Sequence, residues 1–200
     1  MTVARHLIVE GSSSSVDNGG AGTTSYHTLY LSHALQQTDQ QCFATDGALL
    51  SDMLGRQSSV IAAFKDGLNI LFIQAGQNDL RSTDASSWLP TFSDYLAKFR
   101  DAIRSSGRLV QLGISTHNPR NEIPFNANRA ITDSALRHFP SEGKCDFVVD
   151  WAADPTWGPD AAAANQTSYP DGTHPSQAGQ SNMEAQYFRP VLNSLTAPSA

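Results

Sequence analysis

"LIVEGSSSSV", residues 7–16, runs from an apolar segment straight into four consecutive serines. The apolar part is rich in Val and Ile and stops at Gly11, which predicts a buried strand. Serine runs are often linkers or helix caps, but a linker is not expected directly behind a buried strand near the start of a domain. The serines lie where a strand turns toward a helix, a position that can expose a hydroxyl. Taken alone, the segment is equally compatible with a structural turn and with a nucleophile.

Further apolar segments of the same kind follow along the chain. The first strand is predicted over "RHLIVE" (5–10). Four more buried strands are predicted over "QQCFAT" (40–45), "LNILFIQA" (68–75), "RLVQLGIS" (108–115) and "CDFVVDW" (145–151). Between and after them, apolar residues recur at helical spacing: Leu50, Met53, Leu54, Ile61 and Phe64; Phe92, Tyr95, Leu96, Phe99 and Ile103; Met183, Tyr187, Phe188, Val191, Leu192 and Leu195. Alternating strands and helices predict an α/β domain with three layers, in which helices cover both faces of a parallel sheet.

Length and composition limit the class of protein. The chain has 200 residues, 40% of them hydrophobic and 16% charged, which predicts one globular domain over residues 1–200 with a loose tail at 196–200. The formal net charge of −6 argues against nucleic acid as a partner and favours a neutral or sugar-like ligand. No apolar run is long enough to span a bilayer, and "MTVARHLIVEGSS" is too short in its apolar part for a secretory signal. We therefore expect a cytoplasmic chain, or one of unknown compartment if a signal segment has been removed.

Polar and glycine-rich segments follow the predicted strands. "GSSSS" follows the first, "DGALLS" with Gly47 the second, "GQND" with Asn78 the third, "THNPR" (116–120) the fourth, and "DGTHPS" (171–176) lies beyond the fifth. In an open parallel sheet, ligands bind outside the carboxyl ends of the strands. The polar segments are therefore expected at one edge of the sheet, which is the candidate site.

"YPDGTHPSQAG", residues 169–179, places Asp171 and His174 three residues apart. A carboxylate at that spacing can accept a hydrogen bond from Nδ1–H of the imidazole and leave Nε2 free as a base. The alternative is an Asp-Gly turn with a capping Asp and an exposed His. A metal site ranks last, because no H-x-H, H-E-x-x-H or cysteine cluster supplies further ligands; we expect no metal and no cofactor. Asn78 could likewise cap the next helix or donate its amide to an oxyanion.

Four of these segments together resemble the SGNH (GDSL-type) hydrolases, a family named for a Ser, a Gly, an Asn and a His in separate sequence blocks. "IVEGSSSS" (8–15), "ATDGALLSDML" (44–54), "LFIQAGQNDL" (71–80) and "YPDGTHPSQAG" are similar to the four blocks, and the resemblance extends from residue 7 to about residue 190. It implies a flavodoxin-like sheet of five parallel strands in the order 2-1-3-4-5. It also implies a serine esterase that forms an acyl-enzyme.

Carried over by position, the resemblance assigns a role to each of five residues. Ser13 would be the nucleophile, His174 the base and Asp171 the residue that orients the base. The backbone N–H groups of Ser13 and Gly47 and the side-chain amide of Asn78 would form the oxyanion hole. The family usually has Asp where this chain has Ser12, which leaves Ser12 as a second candidate nucleophile.

The substrate class follows less directly from the sequence. Short acyl esters of carbohydrates, O-acetyl esters above all, are the predicted substrates; a thioesterase, a lysophospholipase and a non-catalytic carbohydrate-binding or structural module on the same fold are the alternatives. Trp157 and Tyr169, in the long segment before the base, could stack on a sugar ring or simply pack the loop. His117 could touch the substrate, although a lone loop histidine more often has no chemical role.

The implied strand order also predicts the state of the two cysteines. Cys42 and Cys145 belong to the segments assigned to opposite edges of the sheet. Four strand spacings separate those edges by roughly 19 Å, whereas a disulfide needs Cα atoms within about 7 Å. Two free thiols are therefore expected.

Overall fold

The computed structural model of the chain describes residues 4–17 and 22–196. Five parallel strands form a single sheet in the order β2-β1-β3-β4-β5, which confirms the predicted 2-1-3-4-5 topology. The strands are β1 (Arg5–Glu10), β2 (Thr38–Cys42), β3 (Leu68–Ile73), β4 (Leu109–Ser115) and β5 (Phe147–Val149). Parallel neighbours need a crossover between them, and helices supply it.

The helices are α1 (Tyr26–His33), α2 (Leu50–Ala62), α3 (Ala85–Ser106), α4 (Ile123–Leu136), α5 (Gln177–Asn182) and α6 (Arg189–Ser194). A π-helical segment, Met183–Phe188, joins α5 to α6. Short 3₁₀ turns lie at Ser13–Ser15, Asp79–Arg81, Trp151–Ala153 and Asp160–Ala164. The first of these turns carries the serines and follows β1 directly.

Two separate apolar clusters cover the two faces of the sheet. Along β1, Ile8 points into the cluster formed with α2, α3 and α4, while Leu7 and Val9 point into the cluster formed with α1 and the C-terminal helices. This alternation is what a strand buried on both faces requires. The predicted three-layer α/β/α architecture is confirmed.

The strands differ in burial according to their place in the sheet. β3, at the centre, is buried at every position, whereas the edge strand β2, "TDQQC", has only partly buried or exposed residues. Apolar content therefore locates the central strands well. It locates the polar edge strand less well: β2 begins two residues before the predicted segment at 40–45. β5 has three residues, fewer than the predicted 145–151.

Cys42 ends β2 and Cys145 precedes β5, at opposite edges of the sheet, and both are free thiols. Of the tail expected at 196–200, only Thr196 lies within the described residues. Within those residues, each helix is too short or too polar to cross a lipid bilayer.

Candidate active site

The strand register brings three polar loops to one edge of the sheet. Glu10 at the end of β1 pairs with Ile73 at the end of β3, and Ile73 pairs with Ile114 near the end of β4. The chain therefore leaves these three strands at nearly the same level. The serine turn, the loop with Asn78 and the loop "THNPR" begin side by side.

Ser13 and His174 are in direct contact at this edge, 161 residues apart in sequence. Ser13 Oγ lies 2.6 Å from His174 Nε2, and His174 Nδ1 lies 2.6 Å from Asp171 Oδ2. Because Nδ1 faces a carboxylate, it carries the proton, and Nε2 is then free to accept the proton of the Ser13 hydroxyl. The structure thus brings together the three residues predicted as nucleophile, base and orienting acid, in hydrogen-bonding order.

The Asp171 carboxylate is held by its own loop. Its Oδ1 accepts the backbone N–H of Thr173 at 2.9 Å and of His174 at 2.7 Å, while Oδ2 faces the imidazole. Partial burial raises the pKa of Asp171, but the bond from the His174 ring and the two backbone donors outweigh burial and lower the pKa below its usual value. The group is therefore an anion at neutral pH, as an orienting residue must be.

The other serines of the run have different surroundings from Ser13. Ser12 is buried, and its hydroxyl has no partner among the described residues. Ser15 donates to Gln74 Oε1 at 2.6 Å and shares a 2.7 Å bond with Tyr26 OH. Ser13 is the member of the run whose hydroxyl meets His174, so the geometry favours Ser13 over Ser12 as the nucleophile.

A buried ion pair anchors the turn that carries Ser13. Glu10 is fully buried. Its carboxylate accepts hydrogen bonds from Arg56 of α2, from Nε at 3.0 and 3.1 Å and from Nη2 at 2.6 Å. Glu10 Oε1 also accepts the N–H of Gly11 at 2.9 Å, and Arg56 Nη2 donates to the Gly11 carbonyl at 3.1 Å. The pair therefore binds the peptide groups on both sides of Gly11, two residues before Ser13. Sequence reasoning missed this pair, because its members are 46 residues apart.

The loops that carry two of the predicted oxyanion donors, Gly47 and Asn78, are hydrogen-bonded to each other. Asn78 Nδ2 donates to the Ala48 carbonyl at 3.1 Å, and Asp79 accepts the N–H of Leu50 at 3.0 Å. Both bonds hold the Gly47 turn, where a φ of +71° favours glycine. One Nδ2 hydrogen of Asn78 remains for a ligand, and the Gly47 N–H meets no acceptor within the described part of the chain.

The prediction that His117 touches substrate is wrong in this structure. The side chain is 1% exposed, with Nδ1 2.6 Å from Asp133 Oδ1 and Nε2 2.8 Å from the Ala75 carbonyl. Both nitrogens are thereby engaged, so the ring serves as a brace between β4 and the loop that carries Asn78. Gly76 packs on this ring: its φ is +95°, and a Cβ there would lie 2.5 Å from Nε2 of His117. Only glycine fits both constraints.

The prediction that Tyr169 stacks on a sugar ring is also wrong in this structure. Tyr169 is fully buried, and its hydroxyl donates to the Trp157 carbonyl at 2.8 Å. Burial accordingly raises the pKa of the phenol. The ring lies 6.1 Å from that of Trp157, centroid to centroid, so Tyr169 packs the loop down. Trp157 is only half-buried, and its contact with substrate stays a prediction.

Arg120, at the end of "THNPR", is a second residue that sequence reasoning missed. Its guanidinium reaches the Gln77 carbonyl and Asn78 Oδ1, and the backbone N–H of the next residue, Asn121, donates to the Gly172 carbonyl at 2.7 Å. This segment therefore touches both the loop of Asn78 and the loop of the base. Its position after β4, in the same loop as His117, was the available signal.

No protein-family model matches the chain, and no curated protein matches it in sequence. Solved structures do match. A member of the lipolytic protein G-D-S-L family from Veillonella parvula superposes with a TM-score of 0.68 at 14% identity, over 94% of this chain and 97% of the other. A psychrotrophic esterase from Pseudoalteromonas sp. gives 0.68 at 12% identity, over 94% and 99%.

An acetylxylan esterase from Geobacillus stearothermophilus, solved as a catalytic mutant, superposes with a TM-score of 0.56 at 19% identity, over 91% of this chain and 90% of the other. Identities this low establish similarity of fold, and the agreement extends over nearly the whole length of each protein. The chain therefore has the fold of G-D-S-L lipolytic proteins and esterases, and its resemblance to the SGNH hydrolases is confirmed at the level of the fold.

Proposed function

We propose that the protein is a serine esterase that hydrolyses carboxyl esters through an acyl-enzyme on Ser13. The observation that carries the proposal is the 2.6 Å contact between Ser13 Oγ and His174 Nε2, with Asp171 on the far side of the imidazole. A serine hydroxyl is a weak nucleophile unless an adjacent base takes its proton. The imidazole beside the Ser13 hydroxyl and the carboxylate beside its Nδ1 support this role for His174 and Asp171.

The first half of the reaction forms the acyl-enzyme. His174 Nε2 takes the Ser13 proton as Oγ attacks the ester carbonyl carbon, and the carbonyl oxygen becomes an oxyanion. The N–H groups of Ser13 and Gly47 and the free Nδ2 hydrogen of Asn78 are the donors that stabilise it. When the tetrahedral intermediate collapses, the C–O bond to the alcohol breaks, and His174 returns its proton to the departing alkoxide.

The second half repeats these steps with water as the nucleophile. His174 removes a proton from water as the water oxygen attacks the acyl carbon, and the same donors hold the second oxyanion. The Ser13 ester bond then breaks, Ser13 Oγ regains the proton from His174, and the carboxylic acid leaves. Asp171 stays ionised throughout and balances the positive charge that the imidazole acquires in each step.

Short acyl esters of carbohydrates, O-acetyl esters first, are the substrates we propose. Ser13, Asn78 and His174 are partly exposed, and Gly47 and Asp171 are exposed, so the reacting atoms lie at an open, polar rim. Such a rim suits a large hydrophilic alcohol and a short acyl group, whereas a long acyl chain gains from an apolar cavity that buries it. The similarity of fold to an acetylxylan esterase supports the same substrate class.

The test is a panel of p-nitrophenyl esters of rising acyl length, one acyl-thioester, one lysophospholipid and acetylated xylo-oligosaccharides, assayed with the wild type and with Ser13→Ala. The proposal expects hydrolysis that depends on Ser13, with the highest kcat/KM on acetyl esters. Preference for the thioester or the lysophospholipid would overturn the substrate class. Binding of the oligosaccharides by the folded wild type without turnover of any ester would identify a non-catalytic module.

A further inference from the structure

Arg120 lies just beyond β4 and is 6% exposed. Its backbone is fixed by one side chain: the Arg120 N–H donates to Asn126 Oδ1 at 3.1 Å, and Asn126 Nδ2 donates to the Arg120 carbonyl at 2.6 Å. The Phe125 ring lies under the guanidinium, 5.6 Å from Cζ to the ring centroid. The guanidinium is thus held in one place by groups that are outside the reacting centre.

The guanidinium is directed at the loop that carries Asn78. Nη1 donates to the Gln77 carbonyl at 2.5 Å and to Asn78 Oδ1 at 3.2 Å, while Nη2 lies 3.5 Å from Thr173 Oγ1, beside His174. The nearest carboxylate contact is Glu122 Oε1, 3.6 Å from Nε. Arg120 is therefore not in a bidentate ion pair, and its hydrogens are directed mainly at Asn78 and Gln77.

These contacts decide which way the Asn78 amide points. A primary amide has an oxygen that only accepts and a nitrogen that only donates. With a cationic donor against Oδ1, the reversed amide would place its own N–H hydrogens against the guanidinium. The observed orientation directs Nδ2 to the Ala48 carbonyl and leaves its second hydrogen without a protein acceptor among the described residues. A charge-assisted bond to Oδ1 also polarises the amide, which makes its N–H groups stronger donors.

We propose that Arg120 is a positioning residue of the oxyanion hole, which acts by holding Asn78 with Nδ2 toward the substrate carbonyl oxygen. The inference rests on the proposed esterase function. Because the Asn78 amide interacts most strongly with the charge that develops in the transition state, loss of Arg120 lowers kcat and leaves KM nearly unchanged.

A double-mutant cycle tests the inference with p-nitrophenyl acetate as substrate. The variants are Arg120→Met, Asn78→Ala and the double variant; Arg81→Met is the matched control. Arg81 pairs with Glu122 at 2.9 Å at the protein surface. We expect Arg120→Met to lower kcat by about 10- to 100-fold in the wild-type background but by less than about threefold in Asn78→Ala, since residues that act as a unit are non-additive. Arg120→Lys, which keeps a cationic donor, should recover part of the rate, and Arg81→Met should retain wild-type kcat.

Equal losses of kcat in the two backgrounds would overturn the inference, and so would an unchanged kcat in Arg120→Met. Thermal unfolding of each variant shows whether it is folded; if Arg120→Met is not, Arg120→Lys replaces it in the cycle and must show the same non-additivity. A folded wild type without esterase activity defeats the proposed function and this inference together, whereas an active wild type with additive losses defeats only the role of Arg120.

Discussion

Ser13 Oγ and His174 Nε2 are 2.6 Å apart, although one residue follows the first strand and the other precedes the helices at the end of the chain. The contact exists because β1 lies inside the sheet, between β2 and β3, with α1 and the C-terminal helices packed on the same face. Folding of the chain therefore brings Ser13 and His174 into contact. Its chemical consequences can be measured residue by residue.

Asn78→Ala should lower kcat for an acetyl ester by about 10²- to 10³-fold, equivalent to about 3 to 4 kcal/mol of transition-state stabilisation. The side chain is half-buried, and its Nδ2 bonds the Ala48 carbonyl. KM should change little, because the interaction strengthens as the oxyanion forms. Steady-state kinetics measure both constants, and an unchanged kcat would remove Asn78 from the mechanism.

Asp171→Asn should lower kcat by about 10³- to 10⁴-fold, because an amide at this position no longer enforces the tautomer that leaves Nε2 free. In the wild type, activity should depend on pH, because only a neutral histidine can accept the Ser13 proton. The pKa of Asp171 is lowered from 3.8, so this carboxylate is an anion at neutral pH. A pH–rate profile of kcat/KM measures the dependence, and a flat profile from acid to neutral pH would contradict a histidine base.

The same carboxylate contributes to the acid sensitivity of the fold. Because its pKa is lower in the folded than in the unfolded chain, Asp171 stabilises the fold above its unfolded pKa, and this contribution is lost as the pH falls through the folded pKa. The unfolding free energy of Asp171→Asn should therefore fall less steeply below about pH 4 than that of the wild type. Parallel slopes in urea titrations at several pH values would argue against this linkage.

Arg56→Met should destabilise the protein by about 3 kcal/mol at neutral pH, because it leaves the buried Glu10 carboxylate without its counter-charge. Burial raises the pKa of Glu10, an effect that Arg56 and the Gly11 N–H partly offset. Without Arg56 the pKa rises further, so stability is present at low pH and is lost as the pH rises toward neutrality. Chemical denaturation at pH 4 and pH 7 measures the difference.

Glu10→Gln/Arg56→Met is the matched control for that prediction. The neutral amide can still accept the Gly11 N–H, which Glu10 Oε1 accepts at 2.9 Å. The double variant should be more stable than Arg56→Met at pH 7 and should lose the extra pH dependence. Equal stability of the two variants would show that the unpaired charge is not the cause.

The two cysteines should titrate separately. Cys42 is exposed as a residue, while Cys145 is buried; burial of the sulfur raises the pKa of both thiols, that of Cys145 to about 12. A thiol reagent should therefore modify one cysteine in the native protein and two after unfolding without a reductant, and Cys42→Ser should remove the native reaction. Finding no thiol in the unfolded, unreduced chain would contradict the strand order, since it would require a disulfide between opposite edges.

The fold could be predicted as far as the apolar pattern reaches. β1, β3 and β4 carry apolar residues toward both faces, and their predicted segments overlap the observed strands. The apolar pattern does not indicate α4, because the buried face of this helix carries the polar residues Arg129, Thr132 and Asp133 as well as apolar ones. Arg129 and Asp133 are buried because they bond to His117 in the loop after β4, and the Thr132 hydroxyl donates to the Asn128 carbonyl of its own helix. A one-dimensional pattern does not contain such partners.

Within the candidate site, too, some contacts could be predicted from the sequence and others could not. Asp171 and His174 are three residues apart, so their pairing could be predicted locally. The contacts of Arg120 with Asn78 and of Arg56 with Glu10 depend on topology, and no local pattern indicates them. For His117, a position after a strand does not distinguish a side chain directed into the core from one directed at solvent.

Labelling with a fluorophosphonate is the most direct measurement of the central claim, that Ser13 is a nucleophile activated by His174. The reagent transfers its phosphonyl group to an activated serine, and intact-mass spectrometry followed by peptide mapping locates the adduct. One adduct is expected, on Ser13, in the wild type and in Ser12→Ala, and none in Ser13→Ala or His174→Ala. An adduct of equal yield in Ser13→Ala, or no adduct in the folded wild type, would contradict a nucleophilic Ser13.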